Sequence, residues 1–399
     1  MHDHIALVFA SFLIFSYGLF SHLAERSPIT APMFFLSVGL LVSPIGLGIF
    51  HVEVDTEMVQ VIAEITLVMI LFVDASKIDV KQLKQGSKIP IRLLGIGLPL
   101  TMLLGVLIAY PLFPEMEIWV ILLMALILSP TDAALGQAVI TSKKVPEKVR
   151  RWISVESGMN DGIALPPILF CLAMLSVEGN GGDWGIYMLK QLILGPLIGG
   201  LVGWYGGLLV DKMSARRWMS PTFQRLVAFS LAILCYSSAE LVHGNGFIAA
   251  FAGGLMLGTR THAVRERIQE FGEAEGQQLA LFVFLIFAMV MVPSAYPYWD
   301  LQAWIYAILS LTLIRMGPVI LSLTGSGTDM ATKFFVGWFG PRGIASVLYL
   351  LIVVGEIGVE GYERMLSVIV LTVMLSIFLH GISAVPLSAI YGKKQTGNN

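Results

Sequence analysis

The sequence predicts an all-α polytopic membrane protein of about 13 transmembrane helices, with an inverted-repeat core that contains two discontinuous helices. Composition, apolar windows and the distribution of charge carry that expectation. Of 399 residues, 56% are hydrophobic and 13% charged, against roughly 25% charged in an ordinary soluble chain. That leaves too little polar surface to cover a globule of this length, and the solvent it suits is lipid. The net charge of −2 points to no nucleic-acid partner. Cys171 and Cys235 sit inside apolar runs, as buried core thiols do, rather than in a disulfide or metal cluster.

A helical span needs about 20 mostly apolar residues. Such windows run over 5–24, 31–50, 57–75, 89–112, 117–141, 152–177, 186–210, 221–242, 245–259, 276–296, 300–324, 329–354 and 364–391. The first is expected to be a retained span, because Met1-His2-Asp3-His4 is no cationic n-region and no small-residue cleavage site follows Leu23. Glu64 lies about two turns into the third span, Glu240 near the outer end of the eighth and Arg315 in the eleventh. Structural roles are favoured for all three over a pathway or snorkelling. In the seventh span Gly195, Gly199, Gly203 and Gly207 share one face, the pattern of close helix packing. His243 and Asn245 flank a helix boundary, where capping is the expected role.

Odd-numbered spans enter from one side, so cations can be sorted by loop. Loops after odd spans, with the tail, hold Arg26, Lys77, Lys81, Lys84, Lys88, Arg92, Lys143, Lys144, Lys148, Arg150, Arg151, Lys212, Arg216, Arg217, Arg225, Arg260, Arg265, Arg267, Lys333, Lys393 and Lys394: 21 of the 25 Lys and Arg. The opposite side holds Lys190 and Arg364, beside acidic stretches such as Glu53 to Glu57. The N-terminus is therefore expected outside and the C-terminus in the cytoplasm, across the cell (inner or plasma) membrane. No extramembrane stretch exceeds about 20 residues, which leaves no room for a soluble catalytic, nucleotide-binding or regulatory domain.

Charges deep in lipid cost several kcal/mol and mark function by default; Asp132, Glu156, Asp161 and Arg342 stand out by depth. In the fifth span, Pro130 cannot donate to the helix ladder and disfavours helix at Ser129, so Ser129-Pro130-Thr131-Asp132 should unwind. Unwound backbone at that depth must be buried in protein or line a hydrated cavity. The plainer reading is a proline kink with Asp132 capping the second half-helix.

In the sixth span Ser157 and Asp161 share a face, as do Glu156 and Asn160, a polar wall in an apolar helix. Asp161, Ser157 and Thr131 could together offer carboxylate and hydroxyl oxygens to a hard cation, against the alternative of interhelical hydrogen bonds. The twelfth span breaks at Gly340-Pro341-Arg342-Gly343, about 211 residues after the first break. That offset maps spans four to six onto eleven to thirteen with inverted topology, a pattern that points to a transport site at the midplane. The expected organisation is 1–88 as scaffold or dimerisation spans, 89–178 as the first core half and 179–299 as linker and scaffold. The second core half follows at 300–392, and 393–399 is a short tail. Arg342 needs an acidic partner; Glu156 is the expected one, with Asp132 the alternative.

At Thr131-Asp132, Glu156-Ser157-Gly158-Met159-Asn160-Asp161-Gly162, Pro341-Arg342-Gly343 and Gly244-Asn245-Gly246-Phe247, the chain resembles the NhaP-type sodium/proton antiporters of the monovalent cation/proton antiporter-1 family. The resemblance spans nearly the whole chain. It implies a homodimer with alternating access, in which Asp161 carries the ion or proton. Thr131 and Ser157 contribute to the site, Glu156 pairs with Arg342, and Asn160 supports the site. The chain has Gly158-Met159 where the family often has Leu-Leu, which could loosen the sixth helix, and Pro130-Thr131-Asp132 where Thr-Asp-Pro is common.

The expected reaction is exchange of a monovalent cation, Na+ first and K+ or Li+ as alternatives, for H+. Asp161 binds either ion, and with Asn160 in place of a second carboxylate the simplest stoichiometry is electroneutral. No cofactor is called for. A passive channel is one rival. An intramembrane hydrolase would need a nucleophile with a histidine base or an acid pair such as Asp132 with Asp161. His51, His243 and His262 fall at span ends, so no histidine is expected near the polar wall.

Overall fold

The computed structural model describes residues 2–24, 29–50, 57–78, 88–132, 135–176, 184–261 and 265–396. Arg26, His51, the acidic stretch from Glu53, Lys81, Lys84, Ala133, His262 and the end of the tail lie outside them. The described chain is helical throughout: α1 His2–Ala24, α2 Ala31–Val42, α3 Glu57–Ser76, α4 Lys88–Leu112 with a π turn at Leu93–Gly97, α5 Ile118–Ile127, α6 Gln137–Ile140, α7 Glu147–Ser176 and α8 Trp184–Ala215. There follow α9 Pro221–Glu240, α10 Gly246–Arg260, α11 Arg265–Ile286, then a π turn at Phe287–Met291 and a short Val292–Ala295 helix. Last come α12 Leu301–Leu311, α13 Leu313–Ser322, α14 Met330–Trp338, α15 Ile344–Ile357 and α16 Glu363–Thr396. Among the described residues seven helices are long and apolar enough to cross a bilayer, and five shorter ones are apolar.

Helix limits follow local chemistry. Thr30, Ser220, Asn245 and Asp300 each accept a backbone N–H of the first turn they precede, satisfying donors that a helix start leaves open. Where the apolar window ran to residue 50, α2 stops at Val42 because Ser43-Pro44 follows and the chain turns back, with Gly48 at positive φ. α11 begins 11 residues before the apolar window at 276, since a helix can carry a polar segment beyond the hydrophobic stretch that hydropathy detects. α7 runs unbroken through Gly158 and Pro166-Pro167, so the glycine does not open the helix.

The chain divides into two compact units. The first comprises residues 1–60, 88–157 and 280–399. Within it Gly39 of α2 lies where a Cβ would meet Ala288, the Tyr306 hydroxyl donates to the Gly105 carbonyl at 3.3 Å, and Arg92 Nη2 donates to the Thr324 carbonyl at 2.6 Å. A hydrophobic cluster including Leu93, Val149, Val319, Phe335 and Phe339 ties α4, α7, α13 and α14 together.

The second unit comprises residues 61–87 and 158–279. The four glycines of α8 all face the α10 end of the chain: a Cβ at Gly195, Gly199, Gly203 or Gly207 would meet Asn245, Ala249, Gly253 or Arg260 respectively. This is the close helix packing expected of that stripe. Asn245 caps α10 and Glu240 Oε1 accepts from Gly246 N at 2.7 Å. At the end of α3, Lys77 lies 2.7 Å from Asp74 and 3.2 Å from Glu273. Burial opposes its charge, yet the two carboxylates together hold its pKa above the ordinary lysine range. Cys171 and Cys235 are buried free thiols.

Candidate functional site

α5 ends at Ile127 because Pro130 has no N–H to continue the ladder, which leaves a run of carbonyls at depth. Those of Ala125, Ile127, Ser129 and Pro130 have side-chain donors. Ser129 Oγ donates to the Ala125 carbonyl at 2.6 Å, and Ser346 Oγ from α15 donates to the Ile127 carbonyl at 2.8 Å. Arg342 Nη1 donates to the carbonyls of Ser129 and Pro130, the latter at 3.0 Å. A buried carbonyl without a donor costs a kcal/mol or more; here hydroxyls and one guanidinium satisfy these four.

The segment between α14 and α15 meets this one. Asp132 N donates to the Pro341 carbonyl at 2.8 Å, and Asp132 Oδ2 accepts from Ile344 N at 2.8 Å. Asp132 therefore caps the N-terminus of α15, where the helix dipole favours a negative charge. The proline-kink alternative, with Asp132 capping the second half of its own span, does not hold. Glycines permit the approach: a Cβ on Gly343 would overlap the Asp132 carboxylate, and one on Gly340 would overlap the Arg315 guanidinium. Arg342 N donates to Ser376 Oγ of α16 at 2.7 Å.

Beside this crossing, Thr131 Oγ1 and Ser157 Oγ lie 3.0 Å apart, both buried. Ser157 stands on α7, and Asp161 follows one turn later on the same continuous helix, only 6% exposed, with Asn160 buried beside it. Hydroxyl and carboxylate oxygens are the donors a hard monovalent cation prefers.

Glu156 makes its ion pair with Arg315, at 2.6 Å, with side chains 3% and 1% exposed. The expected Glu156–Arg342 pair is thus corrected. Arg342 sits where the unwound carbonyls need donors and its Nη1 turns to them, leaving Arg315 of α13 to neutralise the glutamate. One histidine falls inside a span rather than at its end. His380 is buried in α16 and bonds to Ser376, the acceptor for Arg342 N. Its signal was in the sequence, inside the 364–391 window and four residues after Ser376.

The fold of the whole chain matches the solved sodium proton antiporter MjNhaP1 from Methanocaldococcus jannaschii, with TM-score 0.79 at 20% identity, covering 99% of both chains. The sodium/hydrogen exchanger transmembrane family model matches residues 9–389, and the chain belongs to that family. The family is one of multi-pass monovalent cation/proton antiporters, transporters rather than enzymes. A Na(+)/H(+) antiporter of Schizosaccharomyces pombe is 24% identical over 317 residues, 71% of this chain and 67% of that protein. The K(+)/H(+) antiporter NhaP of Alkalimonas amylolytica is 26% identical over 377 residues, 91% of this chain and 63% of its own length. The chain thus spans about two thirds of the length of these relatives.

Proposed function

We propose that this chain exchanges Na+ for H+ across the membrane, one for one, at a site made by Asp161, Ser157 and Thr131. The observation that carries the reading is the buried Thr131–Ser157 hydroxyl pair at the crossing of two interrupted segments, one helical turn from a buried carboxylate. Asp161 holds either a proton or the cation. The neutralised site changes sides by alternating access, and the empty charged site does not cross, because an uncompensated carboxylate in lipid is too costly. With Asn160 where a second carboxylate would stand, each cycle moves no net charge. Asn160, Glu156, Arg342 and Asp132 support the site, the protein works as a homodimer, and its N-terminus faces outward.

A potassium reading has its own support. The relative named as a K(+)/H(+) antiporter aligns over 91% of this chain, against 71% for the one named for sodium. Both readings are tested by dequenching of a pH-sensitive dye in proteoliposomes on addition of Na+, K+ or Li+ in turn. Na+ is expected to give the strongest response, with a rate indifferent to imposed voltage. Asp161→Asn should abolish exchange at normal expression; retained exchange would remove Asp161 from the site. A response to K+ alone would move the selectivity to the second reading, and voltage-dependent exchange would rule out the one-for-one stoichiometry.

A further inference from the structure

α16 carries Thr372, Ser376 and His380 at four-residue spacing, all buried and on one face. Thr372 Oγ1 donates back to the Val368 carbonyl at 2.7 Å within the helix. Ser376 and His380 reach across to the segment between α14 and α15, and the directions of their hydrogen bonds can be read off. Ser376 Oγ accepts from Arg342 N at 2.7 Å, so its own proton is available to His380 Nδ1, 3.1 Å away. With Nδ1 accepting, Nε2 carries the ring proton and donates to the Trp338 carbonyl at 2.9 Å. The opposite tautomer would turn Nδ1–H to the Ser376 carbonyl at 3.0 Å and leave Nε2 facing the Trp338 oxygen lone pair to lone pair. The Nε2–H form gives Arg342 N, Ser376 Oγ and His380 Nε2 an acceptor each.

This places one side chain at both ends of an interrupted segment. Trp338 is the last residue of α14, and its carbonyl also accepts from Gly340 N at 2.8 Å. Arg342 closes the segment on the other side. Between them lie Phe339, Gly340 and Pro341, with Gly343 next, and glycines lose the most freedom when fixed. The indole of Trp338 is held as well, tilted against the His380 ring at 4.9 Å between centroids, with Nε1 donating to Ser383 Oγ at 2.9 Å. From Arg342 and Pro341 the bonds already described lead to Ser129, Pro130 and Asp132, which flank Thr131.

We propose that His380 is a positioning residue for ion binding: as a neutral donor–acceptor it clamps both ends of the 338–342 segment and thereby fixes where Thr131 presents its hydroxyl. The proposal rests on the reading of Thr131 as part of the ion site. A histidine that only fastened helices together would affect overall stability and leave cation affinity unmoved, so affinity is the quantity that separates the two roles.

The test compares His380→Ala, Ser376→Ala and His380→Gln with wild type as full chains in liposomes. It measures apparent KM and maximal rate for the cation, alongside hydrogen–deuterium exchange of backbone amides in 129–132 and 339–343. Gln keeps one donor and one acceptor at nearly the reach of the imidazole. His380→Ala should raise KM roughly tenfold, the scale of one hydrogen bond, with maximal rate changed less than about twofold, and both amide segments should exchange faster. Ser376→Ala should do the same through the severed link, and it carries the test if His380→Ala fails to fold. His380→Gln should restore wild-type behaviour. The proposal is overturned by an unchanged KM in both alanine variants, by unchanged amide protection at 129–132, or by a His380→Gln defect as large as that of His380→Ala. Wild type that exchanges no cation at all would instead bring down the functional reading, while amide exchange would still show whether the clamp exists.

Discussion

Glu156 and Arg315 form an ion pair with almost no access to water. At such a site the loss of one partner matters more than the pair itself, because the survivor is left as an uncompensated buried charge worth about 3–5 kcal/mol of destabilisation. Arg315→Gln should therefore lower the thermal midpoint in detergent sharply. The double variant Glu156→Gln/Arg315→Gln, which leaves two neutral groups able to hydrogen-bond, should recover much of that loss. Equal melting of the single and double variants would mean that the pair contributes through packing alone. The charges involved were all visible in the sequence as ionisable residues inside apolar windows, and depth alone singled out Glu156 and Arg342. Their pairing was not legible. Arg315 stands 159 residues from Glu156 along the chain, and nothing in the order of residues says that the carbonyls freed by Pro130 would claim Arg342 first. Asp132 shows the same limit, since its capping chemistry was readable while the helix it caps belongs to a distant segment.

Hydrophobic windows located the helices because lipid leaves backbone groups no partner outside the segment. Their ends were less legible, since caps and polar extensions such as the start of α11 contribute nothing to hydropathy. The glycine stripe of α8 was readable from spacing alone, and the structure adds which positions tolerate change. Gly203 sits against the backbone of Gly253, and an added Cβ would overlap its carbonyl oxygen. Gly200, three residues earlier, finds only the Cγ of Met256 at 3.9 Å, ordinary van der Waals contact. Gly203→Ala should separate α8 from α10 and destabilise by roughly 1–3 kcal/mol, the usual cost of overpacking. Gly200→Ala should be neutral or stabilising by up to about 1 kcal/mol through helix propensity. Melting curves of the two variants in one detergent measure the contrast, and destabilisation by Gly200→Ala equal to that by Gly203→Ala would show that the stripe is not what sets the packing.

At the scale of the whole molecule, the charge sorting makes a demand that hydropathy leaves open, namely that the segment from Glu117 to Thr141 crosses the bilayer. α5 has 10 residues and rises about 15 Å, half of a hydrocarbon core about 30 Å thick. The four residues of α6 add roughly 6 Å. The shortfall falls to residues 128–136, which at up to about 3.3 Å each have ample length to complete the span. They can do so in lipid only because donors such as Arg342, Ser346 and Ser129 satisfy the freed carbonyls. Glu115 and Glu117 precede the segment, and Lys143, Lys144, Lys148, Arg150 and Arg151 follow it, an asymmetry from which the first end is expected outside and the second in the cytoplasm. Glu117 and Thr141 are both exposed, and the native thiols Cys171 and Cys235 are buried, so an introduced cysteine should label against a low background. Glu117→Cys should react with a membrane-impermeant maleimide in right-side-out vesicles and Thr141→Cys in inverted ones. Labelling of both from the same side would mean that the interrupted segment re-enters rather than crosses, and would reverse the sidedness assigned to every loop after it.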